Sequence, residues 1–467
     1  MFSNNRRYPN VPHQWLAGMA GPRQSRFTPA TTTRLRRSTC AYVMLLMIVA
    51  ITLIRPMDLL LPLKDVPLYQ IALVAALAAN VSGIRDQLRL SRLRERPVTV
   101  CVLGVYVSIV MSHVSHMYLT GATDIGFIPV MLLYLLIVSL VDSPERLQQF
   151  LRIVTLAGTA IVSLCLLDYL NVIDVRGITH LNRENESVGE LMNWRMRGVG
   201  IFEDPNDLAT LVVFLGILSA WSYRNSSRST TRCLWLISLV MLCAALVCTR
   251  SRGGLLAAAA AGSVLAYWRY GKTVVVCTAM CGLALLPILS GRTAGISGDD
   301  STAFERVLLW REGLHAMMSP DFVFGIGAGL YEELDGLVAH NSFIHAFVEL
   351  GFVGGTCFIG WFLFVALAMF RVVRRRTPCT HPQIAILFPF VAAFLTGWCV
   401  SLLSLSRCYA PSTILVVGSA AAYVNLLEDQ LNPPQKLTCC DPTHLKILLT
   451  VSSIALVGFY CFTRVVT

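Results

Sequence analysis

Gln383-Ile-Ala-Ile-Leu-Phe-Pro-Phe-Val-Ala-Ala-Phe-Leu-Thr-Gly-Trp-Cys-Val-Ser-Leu402 runs for twenty residues without one charge. As a helix rising about 1.5 Å per residue, it reaches about 30 Å, the thickness of a bilayer's hydrocarbon core. Comparable apolar runs occur near 39–54, 66–84, 98–118, 125–142, 153–171, 207–223, 233–249, 254–269, 273–290, 343–370 and 412–428, with a weaker one at 446–463. Lipid offers no partner to a bare peptide group, so long apolar segments that cross it do so as helices. The reading is an all-α polytopic membrane protein of about 12 transmembrane helices, or 13 if the last run spans. Segment 343–370 is long for one crossing and is expected to tilt or overrun the bilayer.

The whole chain agrees with that run. Of its 467 residues 55% are apolar and 14% charged, with a mean hydropathy of +0.63. Soluble domains carry about 25% charged residues, so a large soluble enzyme is excluded, as is a disordered chain. The fifteen cysteines form no C-x-x-C pair, and most lie inside apolar runs (Cys101, Cys165, Cys243, Cys248, Cys357, Cys399). They read as small buried hydrophobes, and neither a disulfide framework nor a zinc site is expected. Cys439-Cys440 could carry a lipid, although chance suffices to explain the pair.

A net charge of +11 raises the question of nucleic acid, but the cations are sorted by membrane side, and no nucleic-acid partner is expected. With a cytoplasmic N-terminus, inner segments hold 25 of the 38 Lys+Arg and outer segments 13. Residues 1–38 form a basic arm with seven Arg and no acid, read as a disordered cytoplasmic tail. Residues 39–428 form the transmembrane domain, and 429–467 a cytoplasmic segment with the thirteenth candidate helix. Two outer loops, about 172–206 and 291–342, are too long for simple connectors and are expected to carry interfacial helices. Ser301 to Met318, with Phe304, Val307, Leu308, Trp310 and Leu314, is the clearest of these.

Three polar clusters fall on the outer side. Arg195-Met-Arg197-Gly-Val-Gly200-Ile-Phe-Glu203-Asp204-Pro205-Asn206-Asp207 leads into the sixth span, where Asp204 and Pro205 suit a capped helix start. Thr249-Arg250-Ser251-Arg252-Gly253-Gly254 turns between the seventh and eighth. A helix N-terminus flanked by guanidinium forks favours an anion, phosphate above all. The third cluster is Phe324-Gly325-Ile-Gly327-Ala-Gly329, then His340-Asn341-Ser342, then Glu349-Leu-Gly351-Phe-Val-Gly354. A GxGxG alone is weak, and neither a strand nor a βαβ unit accompanies it. A lone interfacial His is usually a packing or capping residue. His340 is raised by its company: outer arginines and glycine turns reachable from one face. His345, five positions on, is expected on another helical face and to matter little. His113 and His116 have no partner at metal-ligand spacing and read as interfacial polar residues.

At these clusters the sequence resembles the O-antigen ligase / O-antigen polymerase family of bacterial membrane glycosyltransferases, over roughly residues 40–430. The matching elements are G-x-F-x-D-P-N (Gly200 to Asn206), S-R-G-G (Ser251 to Gly254), and G-x-G followed by H-N and E-x-G-x-x-G. The resemblance implies transfer or polymerisation of a glycan on undecaprenyl pyrophosphate, at the outer, periplasmic face of the inner membrane. The implied transfer is inverting and metal-independent, without a cofactor. The acceptor would be a lipid-linked molecule or a glycan. A chain-length regulator or other polysaccharide-assembly proteins would be partners beside the lipid bilayer. The resemblance points to Arg197, Arg250, Arg252 and Arg306 for the pyrophosphate, and to His340 as the base that activates the acceptor hydroxyl. Glu203, Asp204, Asn206, Asn341 and Glu349 would support them. Ligase and polymerase share these motifs. The competing class is a secondary transporter of an anionic or lipid-linked substrate, which would place ionisable residues at mid-span, where this sequence is nearly clean.

Overall fold

A computed structural model describes residues 32–64, 66–116, 126–175, 178, 195–271, 301–318 and 320–467. In chain order the principal helices are α1 Thr32–Ile54, α2 Leu68–Ala79, α3 Val81–Gln87, α4 Pro97–Ser115, α5 Phe127–Leu140, α6 Pro144–Tyr169 and α7 Pro205–Asn225. They continue as α8 Ser229–Thr249, α9 Arg252–Tyr270, α10 Ser301–Met317, α11 Ser342–Arg375, α12 Pro382–Leu402, α13 Pro411–Asp429 and α14 Pro442–Val466. Among the described residues the only β-pairing is a single bridge, Cys379 to Leu431. Proline opens α4, α6, α7, α12, α13 and α14, where its missing N–H leaves no bond unmade. Ser143, Asp204 and Asp441 cap three of these starts by accepting from backbone N–H at 3.3, 2.6 and 2.9 Å.

Every predicted span within the described residues coincides with a helix, or with a bent pair of helices; the predicted span 273–290 lies outside them. The chain is a polytopic helical membrane protein. Among the described residues seven helices (α4, α6, α7, α8, α11, α12, α14) are long and apolar enough to cross, or eight if α2 and α3 count as one span. Among the predicted spans not counted here, 273–290 lies outside the described residues, and two others have local causes. α2 and α3 meet at 77°, at Asn80, whose side chain donates to Ser139 Oγ at 2.7 Å. α5 has only 14 residues. The weakest run of the sequence, by contrast, is a full helix, α14, of 25 residues. α1 begins at Thr32, so the last residues of the expected disordered arm are helical.

Segment 343–370 does not solve its length by tilting alone. α11 is broken at Gly351 (φ 67°, ψ −170°). The break is bridged by the segment 322–327. Ile326 N and Gly327 N donate to Val348 O and Glu349 O (3.0 and 3.1 Å), while Phe352 N and Val353 N donate to Phe322 O and Val323 O (2.8 and 3.3 Å). A Cβ on Gly351 would stand 2.3 Å from Val323 O, and one on Gly325 2.3 Å from the Glu349 carbonyl carbon. The glycines of G-x-G-x-G and E-x-G-x-x-G therefore serve one another.

Polar contacts between elements sort the helix ends into two sets. At the far end Lys436 pairs with Glu95 (2.7 Å), Asn225 donates to Gln148 (3.3 Å), and Cys439 N to Arg94 O (2.9 Å). At the site end His116 meets Asp321 (2.9 Å), Met196 N donates to Cys248 O (3.0 Å), and the turn after α12 meets the starts of α7 and α11. α10 belongs to the site end. It does not simply lie on the surface: Val307, Leu314 and Met317 are buried, and it packs on α11 and α14.

Candidate active site

The D-P-N and S-R-G-G motifs meet around one carboxamide. Asn206 Oδ1 accepts from Ser251 Oγ (2.7 Å) and from Arg195 Nη2 (3.2 Å), while Arg195 Nε donates to Thr249 O (3.2 Å). Ser251 also accepts from Gly254 N at 3.1 Å and so caps α9. Bare glycines let α9 approach. A Cβ on Gly254 would stand 2.5 Å from Ala209 Cβ, and one on Gly253 2.6 Å from Ser404 Oγ. Asn206 and Ser251 are thus structural, and they bring the α8–α9 turn against α7 and the turn after α12. Arg250 takes a left-handed conformation (φ 50°) to end α8, and Arg252, exposed, starts α9.

That turn after α12, residues 403–410, supplies a cation to which the sequence reading gave no role. Arg407 Nε donates to Asp207 Oδ1 at 2.7 Å, and its Nη2 is bonded to Oδ2. The two parallel bonds are the geometry in which guanidinium binds carboxylate most firmly. Asp207 is 6% exposed, and its hydrogen bonds hold the Arg407 guanidinium above its ordinary pKa against the opposing effect of burial. The backbone is pinned too: Arg407 N donates to Ser342 Oγ (2.8 Å), which donates to Leu405 O (2.5 Å), and Thr413 Oγ1 donates to Arg407 O (2.7 Å). One signal was available in the sequence. Arg407 is the sole cation in a turn between two apolar spans that the charge pattern assigns to the outer side, where the positive-inside rule disfavours it.

His340 precedes α11 rather than belonging to it. Its φ is +49°, and the helix starts only after Asn341, whose buried side chain accepts from Phe343 N (3.0 Å) and Ile344 N (3.2 Å). Trp310 Nε1 donates to Ala339 O (2.5 Å) and fixes the approach from α10. Burial first, and then the Arg306 guanidinium, holds the His340 imidazole below its ordinary pKa; Asp204 opposes this, and Arg407 and His345 add to it. The structure therefore gathers His340, Arg306, Asp204 and Arg407 into one electrostatic neighbourhood. Arg250, by contrast, acts on Tyr169 and Cys248 at the ends of α6 and α8.

Glu349 is buried (1% exposed) on the last turn before the Gly351 break. Oε1 takes His345 Nε2 (3.0 Å) and Tyr331 N (3.2 Å), and Oε2 takes the Tyr409 hydroxyl (2.8 Å). Burial, and then Glu349, keeps the Tyr409 phenol protonated, well above its ordinary range. Glu349 thus orients His345, not His340. His345 stacks on Tyr331 (ring centroids 5.3 Å apart) and looks into a cavity of about 570 Å³. Arg197, Glu203, Asp204, Arg407 and Tyr409 line the same cavity. His340 is not among the residues that line this cavity, so the two histidines face different surroundings, although His345 was expected to matter little. Helical spacing from His340 was the wrong measure, because His340 lies outside the helix.

His116, which has no partner at metal-ligand spacing in sequence, meets Asp321 at 2.9 Å, 205 residues away; His113 is buried in α4. Among the described residues no group of three or more His, Cys, Asp or Glu is arranged to hold a metal ion. No curated protein matches the chain. Residues 237–359 match the family model described as O-antigen ligase. The match holds the S-R-G-G turn, α10, the glycine segment, His340 and Glu349, and leaves out Arg197, Asp207 and Arg407. Over residues 237–359 the chain is similar to the O-antigen ligase family.

Proposed function

We propose that the protein transfers or polymerises a glycan carried on undecaprenyl pyrophosphate, at the outer face of a bacterial inner membrane. The site end faces the periplasm and the basic far end the cytoplasm, and the spans of the sequence reading, twelve or thirteen, fill the bilayer between them. An acceptor hydroxyl attacks the anomeric carbon. A ring nitrogen of His340 takes its proton, the bond from that carbon to the pyrophosphate oxygen breaks, and undecaprenyl pyrophosphate leaves with the electron pair. Attack opposite the leaving group inverts the anomeric centre. The leaving group is already a stable anion, so catalysis consists of placing two substrates and neutralising charge, which fixed guanidinium groups do without a metal. Arg197, Arg250, Arg252 and Arg306 serve the pyrophosphate, with Arg306 acting nearest the base.

The observation that carries this reading is His340 itself. It is part-buried, set on a left-handed turn, and kept neutral by burial and by the guanidinium of Arg306. A neutral imidazole among cations suits a general base beside an anionic leaving group. The test is glycan transfer by the protein in nanodiscs, from the lipid-linked donor extracted from the producing cells. His340→Ala is expected to slow transfer by about 10²–10⁴-fold with donor binding kept. EDTA is expected to leave the wild-type rate unchanged. Near-normal transfer by the variant would refute the role of His340, and loss in EDTA restored by Mg²⁺ would refute the metal-free mechanism.

A further inference from the structure

The cavity beside His345 is lined by two guanidinium groups, Arg197 and Arg407, and by two carboxylates, Glu203 and Asp204. Behind the wall stand two more carboxylates. Asp207 holds Arg407 through both oxygens, and Glu349 takes the Nε2 hydrogen of His345. Positive charge therefore has no surplus here, and the firmest cation is already committed. A diphosphate carrying two or more negative charges would meet Glu203 and Asp204 across a space of about 570 Å³, and like charges without compensation repel strongly wherever water is reduced. The lining suits another ligand. Carboxylates accept hydrogen bonds, guanidinium and Ser412 donate them, and Tyr409 adds an aromatic wall backed by Phe127 (centroids 6.1 Å apart). Neutral sugar rings carry hydroxyls that donate and accept at once and apolar faces that lie on aromatics. The volume falls inside the range of small-ligand sites, about 300–1,000 Å³.

We infer that this cavity is the seat of uncharged sugar units of the transferred or accepting glycan, and that the diphosphate binds outside it. The inference rests on the glycosyltransferase reading and divides that site in two. Arg197 is the one member of the diphosphate set that lines the cavity, so it stands where sugar meets diphosphate. Glu203 and Asp204 are then specificity residues, which fix sugar hydroxyls as charged acceptors.

The test uses the full-length protein in nanodiscs with two probes. One is the oligosaccharide released by mild acid from the lipid-linked donor of the producing cells, followed by saturation-transfer NMR. The other is inorganic pyrophosphate, followed by calorimetry. The wild type is expected to give a sugar signal. Glu203→Gln with Asp204→Asn should weaken sugar binding at least about tenfold, since hydrogen bonds to charged groups are stronger than those between neutral ones, while pyrophosphate affinity stays within about twofold. Arg306→Ala, the reverse control, should weaken pyrophosphate and spare the sugar. No sugar signal, a signal indifferent to the two acids, or pyrophosphate binding tightened tenfold by their neutralisation would each overturn the inference. Glycan transfer by the wild type is measured in the same nanodiscs. Failed transfer with intact sugar binding sinks the proposed function alone; intact transfer with failed sugar binding sinks the inference alone.

Discussion

The place of His340 just before a helix start was legible in the sequence, because Asn341 is a residue that caps helices. What surrounds it was not. His345 was set aside by helical arithmetic that presumes both residues share a helix, and Arg407 lies 67 positions further on, joined only through folding. The lowered pKa of His340 has a measurable sign. A base that stays neutral to lower pH keeps its activity as the medium acidifies through the ordinary imidazole range, and loses it only below that range. The acid limb of the transfer rate should therefore fall below about 6.5, the free imidazole value. Arg306→Ala removes a cation that disfavours imidazolium, so it should move that limb upward, while the slope stays that of one proton. An acid limb unmoved by Arg306→Ala would separate this arginine from the base. The Arg407–Asp207 pair makes a second prediction. Arg407→Ala strands a carboxylate that is 6% exposed and should cost about 2–3 kcal/mol. Removing both partners should cost less than removing Arg407 alone. Arg407→Lys should recover only part of the loss, because an ammonium cannot make two parallel bonds. Thermal unfolding in detergent of the two single variants and the double variant checks all three statements.

α11 displays the limit of pattern reading for a helix. Its composition says one long apolar span, and that much is correct. Its interruption depends on contact between Gly351 and a segment that begins 29 residues earlier, at Phe322. Nothing in a local window links the two glycine motifs. Once they are paired, the weak G-x-G-x-G gains a physical purpose, because it lets one backbone lie against another where the helix has opened. Gly351→Ala should accordingly be among the costliest single-methyl additions in the chain. It sets an L side chain at φ 67°, ψ −170° and brings its Cβ to 2.3 Å from Val323 O. Strain and overpacking together suggest about 2–4 kcal/mol. Gly458→Ala, in the open face of α14 with nothing near its Cβ, should be neutral or slightly stabilising. Comparing the melting temperatures of the two variants in one detergent decides the matter; equal melting would mean that the break tolerates a side chain.

Apolar runs carried most of the architecture, since they are a property of composition along the chain. The number of crossings was less readable, because a 77° bend at Asn80 or a helix of 14 residues leaves no mark on a hydropathy count. The division into two ends yields a topological prediction. On a cysteine-free background, Ser406→Cys should react with a membrane-impermeant maleimide from outside intact cells. Gln435→Cys, beside Arg375 at the far end, should react only after the membrane is opened. Labelling of both from the same side would dismantle the two-ended arrangement. The turn at 403–410 bears finally on how such a protein can be recombined. The segment that matches the family stops at residue 359, yet the guanidinium at 407 and its carboxylate at 207 lie on either side of it. An exchange of residues 237–359 with a relative would import its counterparts of His340 and Arg306 while keeping a foreign frame around them. Crossovers that part Asp207 from Arg407 should yield inserted but idle proteins.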